Sequence, residues 1–229
     1  MLLHAPGGRD GDLWSVVATA GYVAGTGQVI QHNGEAWAVP AAGTIATSVS
    51  AGQDGMVIHV QPDTGSMWRW TGSGWEGIGA VPAQLQQISL GGASDVWVRD
   101  IGNNVYRYDS SSNAFTQSTT VGQAAHISTT GDGTLWHARA NDANAWRLLS
   151  GQNLLQPAIP VQQGIVTSVQ KVSGTGFGTA YCLTQQGANP HCIATTLRMS
   201  SNRSMGFHPS QVPRWWRHWG RCISQIHLT

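Results

Sequence analysis

Cysteine is scarce in this chain, and charge is thin. Only three cysteines occur in 229 residues, and Cys182, Cys192 and Cys222 all lie in the last quarter. An odd, clustered set is not the even framework that staples small secreted domains. Free thiols suit a reducing cytoplasm; a Cys182 to Cys192 bridge between neighbouring strands is the alternative. Charged residues make up 10% of the chain, so a highly charged coil or a salt-bridge-laced helical bundle is excluded. No run approaches the ~20 apolar residues of a membrane span. The Met1-Leu2-Leu3-His4 start lacks the basic and apolar regions of a secretory signal, so a cytoplasmic protein is expected.

Motifs of catalysis are missing too. The nine histidines show no His-Glu-x-x-His spacing, there is no Cys-x-x-Cys, and no Gly-x-Ser-x-Gly nucleophile elbow occurs. Gly174-Thr175-Gly176-Phe177-Gly178 has neither the spacing nor the strand-helix setting of a dinucleotide-binding loop. Carboxylates stop at Asp142. Residues 143–229 carry seven Lys or Arg and no acid, so a net charge of +1 divides into about −6 before that point and +7 after it. The expectation is a non-enzymatic protein with no cofactor, no metal and no nucleic-acid partner.

Glycine and tryptophan are abundant, at 29 and 11 residues. That is the composition of a turn-rich β protein whose aromatic side chains supply much of the buried area. The dominant signal is a repeat. Gly8-Arg9-Asp10-Gly11-Asp12-Leu13-Trp14 returns as Gly52-Gln53-Asp54-Gly55-Met56-Val57-Ile58 and as Thr130-Gly131-Asp132-Gly133-Thr134-Leu135-Trp136, with a weaker copy over Gly91 to Trp97. A second aromatic segment follows each copy: Met67-Trp68-Arg69-Trp70, Val105-Tyr106-Arg107-Tyr108 and Ala145-Trp146-Arg147-Leu148, with Val29-Ile30-Gln31-His32 the most degenerate. Trp37, Trp75, Phe115 and Leu154 close the units.

Asp-Gly between alternating apolar positions is a tight-turn signal, since glycine accepts positive φ and aspartate bonds its local backbone. Upstream, Ser48-Val49-Ser50, Gln87-Ile88-Ser89-Leu90 and His126-Ile127-Ser128 alternate polar with apolar, as a strand does. Each unit therefore reads as four short antiparallel strands. A sheet that small cannot bury both faces alone, and units of about 40 residues with four strands each are the signature of a β-propeller blade. Four units are clear and a fifth is partial, from Thr167 to about Gly187; a spacing near 39 divides the chain into about six blades.

The segment from Trp75 to Phe115, with Gln87-Ile88-Ser89, Asp95-Val96-Trp97 and Asn104-Val105-Tyr106-Arg107-Tyr108, resembles a tectonin repeat, and the copies around Trp14, Ile58 and Trp136 look like divergent members of the same set. The resemblance covers roughly residues 8–187. It implies a six-bladed propeller of four-stranded antiparallel blades and, by analogy with fungal cytoplasmic members of that family, a multivalent defence lectin for O-methylated glycans. Methylated mannose or fucose and lipopolysaccharide are the partners it suggests, with a homo-oligomer expected. A protein-interaction propeller that binds no sugar is the alternative, because fold does not fix function.

Sugars stack their C–H faces on aromatic rings and hydrogen-bond through hydroxyls. The per-unit residues able to do this are Trp14, Trp97 and Trp136, with Arg69, Arg107 and Arg147 in the second aromatic segment. Asp54 and Asp132 join them as candidate sugar contacts. Each has a plainer reading: the tryptophans as core between blades, the arginines as caps on rings or strand ends, the aspartates as turn residues. Ile58 replaces tryptophan in the second unit and the aromatic is missing from Val29-Ile30 in the first, departures that weigh against a site relying on those positions.

After about Gly187 the repeat fades, and 188–229 carries the cluster Trp215-Trp216-Arg217-His218-Trp219. A divergent last blade, a basic tail that seeks anionic lipid or lipopolysaccharide, and a stretch translated from a wrong frame or exon remain open for it. A ring left incomplete by such a tail would expose two sheet edges.

Overall fold

The computed structural model describes residues 2–4, 13–18, 25–78, 81–92, 95–139, 144–150, 155–159, 168–174, 179–186 and 189–196, with side chains described from 13 to 150. Twenty strands form five antiparallel sheets in chain order. The first sheet holds β1 (Leu2–His4), β2 (Leu13–Val17), β3 (Gly27–His32) and β4 (Trp37–Ala38), with β5 (Ile45–Ala46) also paired to β3. The second is β6 (Ser48–Ala51), β7 (Val57–Val60), β8 (Met67–Trp70) and β9 (Trp75–Ile78). The third is β10 (Leu85–Leu90), β11 (Val96–Asp100), β12 (Val105–Asp109) and β13 (Ala114–Gln117). The fourth is β14 (Ala124–Thr129), β15 (Leu135–Arg139), β16 (Ala145–Leu148) and β17 (Leu155–Ile159). The last has three strands, β18 (Ser168–Gly174), β19 (Thr179–Gln186) and β20 (Asn189–Thr196).

Six blades are not what the described residues make. Four sheets have the full four-stranded order and the fifth has three strands. The first unit spends an additional strand, β5, so length divided by spacing overcounts; residues 197–229, with the basic tryptophan cluster, lie outside the described residues.

In the second and third blades the first strand is buried and the fourth exposed: β6 and β10 are almost wholly inside, whereas β9 and β13 mostly face solvent. The first strands thus run nearest the common axis. The Asp-Gly turns behave as their chemistry requires, with φ of 84° at Gly55 and 81° at Gly133, a region that disfavours side chains. Asp54 Oδ1 accepts the Met56 N–H at 3.1 Å and Asp132 Oδ1 the Thr134 N–H at 3.0 Å. Neighbouring turns press together, for a Cβ on Gly91 would collide with the Thr130 carbonyl of the next blade.

Blades are joined by side-chain hydrogen bonds one repeat apart. The Leu90 N–H donates to Ser50 Oγ at 3.0 Å and the Ile88 N–H to Ser48 Oγ at 3.3 Å. One blade further on, the Thr129 N–H donates to Ser89 Oγ at 2.7 Å and the Ile127 N–H to Gln87 Oε1 at 3.2 Å. Every one of these pairs is separated by 40 residues. First strands of adjacent blades do not form a common sheet, so their inward backbone groups need other partners, and the serines of the repeat supply them.

Apolar packing follows the same spacing. Trp14 of the first blade lies against Trp70 and Trp75 of the second, with ring centroids 5.7 and 5.9 Å apart. Ile58 of the second packs with Val96, Val98 and Tyr108 of the third, and Trp97 of the third with Ile127, Leu135 and Leu148 of the fourth.

His59 sits on the other face of β7, 4% exposed, with its ring edge-on to Trp75 at 4.4 Å. Burial pushes its pKa down from 6.5 to about 4, against a smaller opposing effect from a backbone hydrogen bond at Val60. The folded state therefore resists protonation that the unfolded chain accepts. Its contribution is present above about pH 6.5 and is lost as pH falls toward about 4, a change of roughly 3 kcal/mol. Urea unfolding at pH 7 and pH 4.5 should show this loss, and His59→Phe, which keeps a ring against Trp75, should flatten that part of the profile.

Candidate functional site at the second and third blades

A cleft of about 160 Å³ opens between the second and third blades. Met56 and Ile78 give it a partly exposed apolar surface with the wholly buried Ile58 behind them, and Arg69, Glu76, Tyr108 and Asn113 contribute polar groups. Strand pairing explains the gathering. Ile58 on β7 lies directly opposite Arg69 on β8, which lies opposite Glu76 on β9, so one row across the second blade ends in an ion pair. Arg69 Nη2 reaches Glu76 Oε2 at 2.7 Å, and the side chains are 51% and 58% exposed. From the third blade, the Tyr108 hydroxyl donates to Asn113 Oδ1 at 2.7 Å and the Tyr108 ring packs on Phe115 at 5.0 Å. Burial holds the Tyr108 hydroxyl above its ordinary pKa of 10.0, and Arg69 nearby opposes that shift.

The cleft lies beside Ile58, where the repeat departs from tryptophan. The same strand position holds tryptophan in the other units, and there the indole fills the space between blades. Trp14, Trp97 and Trp136 are 2%, 6% and 0% exposed, which leaves no face for a sugar to stack on. The facing residue of the next blade varies: Trp70 meets Trp14, Tyr108 meets Ile58 and Leu148 meets Trp97.

The other sequence candidates fall out as follows. Trp97 and Arg107 are cross-strand neighbours, as are Trp136 and Arg147. Arg107 lies over the Trp97 ring at 5.8 Å and bonds Asp95 at 3.2 Å, so it caps a buried indole. Arg147 is half-buried, with its Nε enclosed. Asp54 and Asp132 are exposed turn residues whose Oδ1 atoms cap backbone N–H groups. Of the eight, Arg69 alone lines the cleft. Glu76, Tyr108 and Asn113 were missed, and the signal that could have found them was the odd residue among equivalents at position 58. Asp10 lies outside the described residues.

No family model matches the chain, and no curated protein does. Solved structures do. YCF48 bound to a D1 peptide is 14% identical with a TM-score of 0.53, over 80% of this chain and 60% of that one. YCF48 from Cyanidioschyzon merolae is 13% identical at 0.56, over 86% and 67%. Virginiamycin B lyase from Staphylococcus aureus is 13% identical at 0.52, over 86% and 70%. The chain has the β-propeller fold. At these identities the likeness is one of fold alone, and the chain spans 60% of the length of the peptide-bound YCF48. The propeller framework nevertheless gives the cleft its meaning, because it places it between two blades and on the exposed outer half of the sheets. Among the described residues no group of three His, Cys, Asp or Glu could hold a metal ion, and no helix is long and apolar enough to cross a membrane.

Proposed function

We propose that this propeller is a carbohydrate-binding protein, and that its sugar site is the cleft beside Met56 and Ile78, between the second and third blades. The observation that carries this is the joining of a small apolar floor to an exposed ion pair and an amide within one cavity. A sugar ring presents an apolar C–H face beside hydroxyls, and the cleft offers a counterpart to each. Its volume of about 160 Å³ is below the range of drug-sized pockets, which limits it to one sugar unit or a methyl substituent. The tectonin resemblance points to an O-methylated glycan. A methoxy group on Met56 and Ile78 would leave neighbouring hydroxyls for Arg69, Glu76 and the Asn113 amide. An exposed ion pair contributes little to stability, so a ligand can rearrange it at small cost.

A site this shallow binds weakly by itself, and strong adhesion needs several copies on one particle. The expected homo-oligomer in the cytoplasm would supply them, with no catalytic step and no cofactor. A glycan array that includes methylated mannose, methylated fucose and lipopolysaccharide tests the proposal. Binding is expected, and Arg69→Ala and Asn113→Ala are each expected to weaken it about tenfold while shifting the melting temperature by only a few degrees. A blank array removes the proposal. The second reading is an interaction scaffold, favoured by the peptide-bound YCF48 among the structural neighbours. A stable protein partner in a pull-down, unaffected by free sugars, would support it instead.

A further inference from the structure

The turn between β3 and β4 combines three features that do not occur together by necessity. Asn33-Gly34 is the only Asn-Gly pair in the chain. The Gly34 N–H donates to His32 Nδ1 at 3.1 Å. Asn33 Oδ1 accepts two backbone N–H groups, from Glu35 and from Ala36, both at 3.0 Å.

Each contact serves one chemical step. When the backbone nitrogen of Gly34 attacks the side-chain carbonyl carbon of Asn33, a five-membered ring closes. That nitrogen must lose its proton, and the group hydrogen-bonded to it is an imidazole nitrogen acting as acceptor, with the ring proton on Nε2. The carbonyl oxygen takes on negative charge as the tetrahedral centre forms, and two N–H donors already point at it, as in an oxyanion hole. Gly34 has φ of 98° and nothing within 4 Å of where a Cβ would be, so the attacking residue is unobstructed. Residues 33 to 36 are all exposed, and water reaches the site freely.

We propose that Asn33 is a self-modification site, converted through a cyclic imide to aspartate and isoaspartate with His32 as general base. The Gly34 N–Asn33 Cγ bond forms, the Cγ–Nδ2 bond breaks, and ammonia leaves with the proton that His32 returns. Water then adds to one of the two imide carbonyls and opens the ring. Opening at Cγ's bond to Gly34 N gives aspartate, and opening at the backbone carbonyl gives isoaspartate, whose main chain is longer by one carbon. Either product adds a negative charge beside Glu35. Isoaspartate also breaks the turn that pairs Gln31 with Ala38 and His32 with Trp37.

The full-length protein, incubated in buffer at neutral pH, would be digested at intervals and the peptide containing residues 28–38 followed by mass spectrometry, with fragmentation to separate the two products. Asn33 is expected to convert ahead of every other asparagine. His32→Phe, which keeps an aromatic ring on Trp37, is expected to slow the conversion at least about tenfold. Circular dichroism before incubation checks that the variant is folded, and Trp37 fluorescence checks the turn. Asn33 remaining intact while other asparagines convert would overturn the proposal, and so would an unchanged rate in folded His32→Phe.

Discussion

Replacing Trp136 by alanine is expected to destabilise the folded chain by about 3–5 kcal/mol, the cost of emptying a large core position. Trp136 has no solvent exposure, and its strand β15 packs against β18 of the fifth sheet. The melting temperature should fall by roughly 10 °C for a chain of this length. Trp136→Phe is the informative companion. Among the described residues the indole nitrogen meets no hydrogen-bond partner, so phenylalanine removes an unsatisfied donor along with some volume, and the loss should stay under about 2 kcal/mol. Were the fifth sheet not seated on the fourth, the indole would face water and even alanine would cost less than about 1 kcal/mol.

Gln87→Leu should be nearly as damaging, at roughly 4 kcal/mol, although leucine has similar bulk. Gln87 is a hub between the third and fourth blades. Its Oε1 accepts from the Ile127 N–H and from Arg99 Nε at 3.3 Å, and its Nε2 donates to the Ile127 carbonyl at 2.9 Å and faces His126 Nε2 at 3.0 Å. Leucine would strand three buried polar groups, each worth about 1–3 kcal/mol. Arg99 makes this worse, being 8% exposed and held otherwise by Asn103 Oδ1 at 2.6 Å, with Asp100 next to it in sequence. Burial draws its pKa below the usual guanidinium range, and Asp100 opposes that shift.

The neighbouring blade shows how the same place is filled without charge. Ser48 pairs with Val60 there, as Gln87 pairs with Arg99 here. Gln87→Ser should therefore lose stability by leaving Arg99 short of a partner. The double variant Gln87→Ser with Arg99→Val should recover most of it, since it recreates the second blade's chemistry and leaves no buried cation. Urea unfolding of the two single variants and the double variant measures this. Additive losses would show that the two residues do not act as a pair.

Local geometry made much of this fold readable. Asp54 and Asp132 cap their own turns, Gly55 and Gly133 take positive φ, and alternation around Ile88 and Tyr106 marks strands, all within windows of a few residues. What could not be read depends on neighbours about 40 residues away. Ser50 looks like any polar strand residue until Leu90 donates to it. Both faces of a blade are buried, so alternation cannot tell whether Trp97 faces a ligand or the next blade. Arg99 occupies a position that is Val16, Val60 or Ala138 in the other blades, and no short-range rule reveals its burial. The cleft itself lies beside a difference between repeats, whereas the repeat was found by looking for sameness.

Ile58→Trp offers the most direct measurement. The substitution supplies the indole that the equivalent position carries in other blades, and so fills the cleft from behind its apolar surface. Titration of the variant and the unaltered protein with the best ligand from the array, beside a thermal melt of each, is expected to show a folded protein whose melting temperature falls by a few degrees, because the indole crowds a buried position before it reaches the cleft, and whose sugar affinity is reduced at least about tenfold. Unchanged affinity in a folded Ile58→Trp protein would place the sugar elsewhere and contradict the cleft as the binding site.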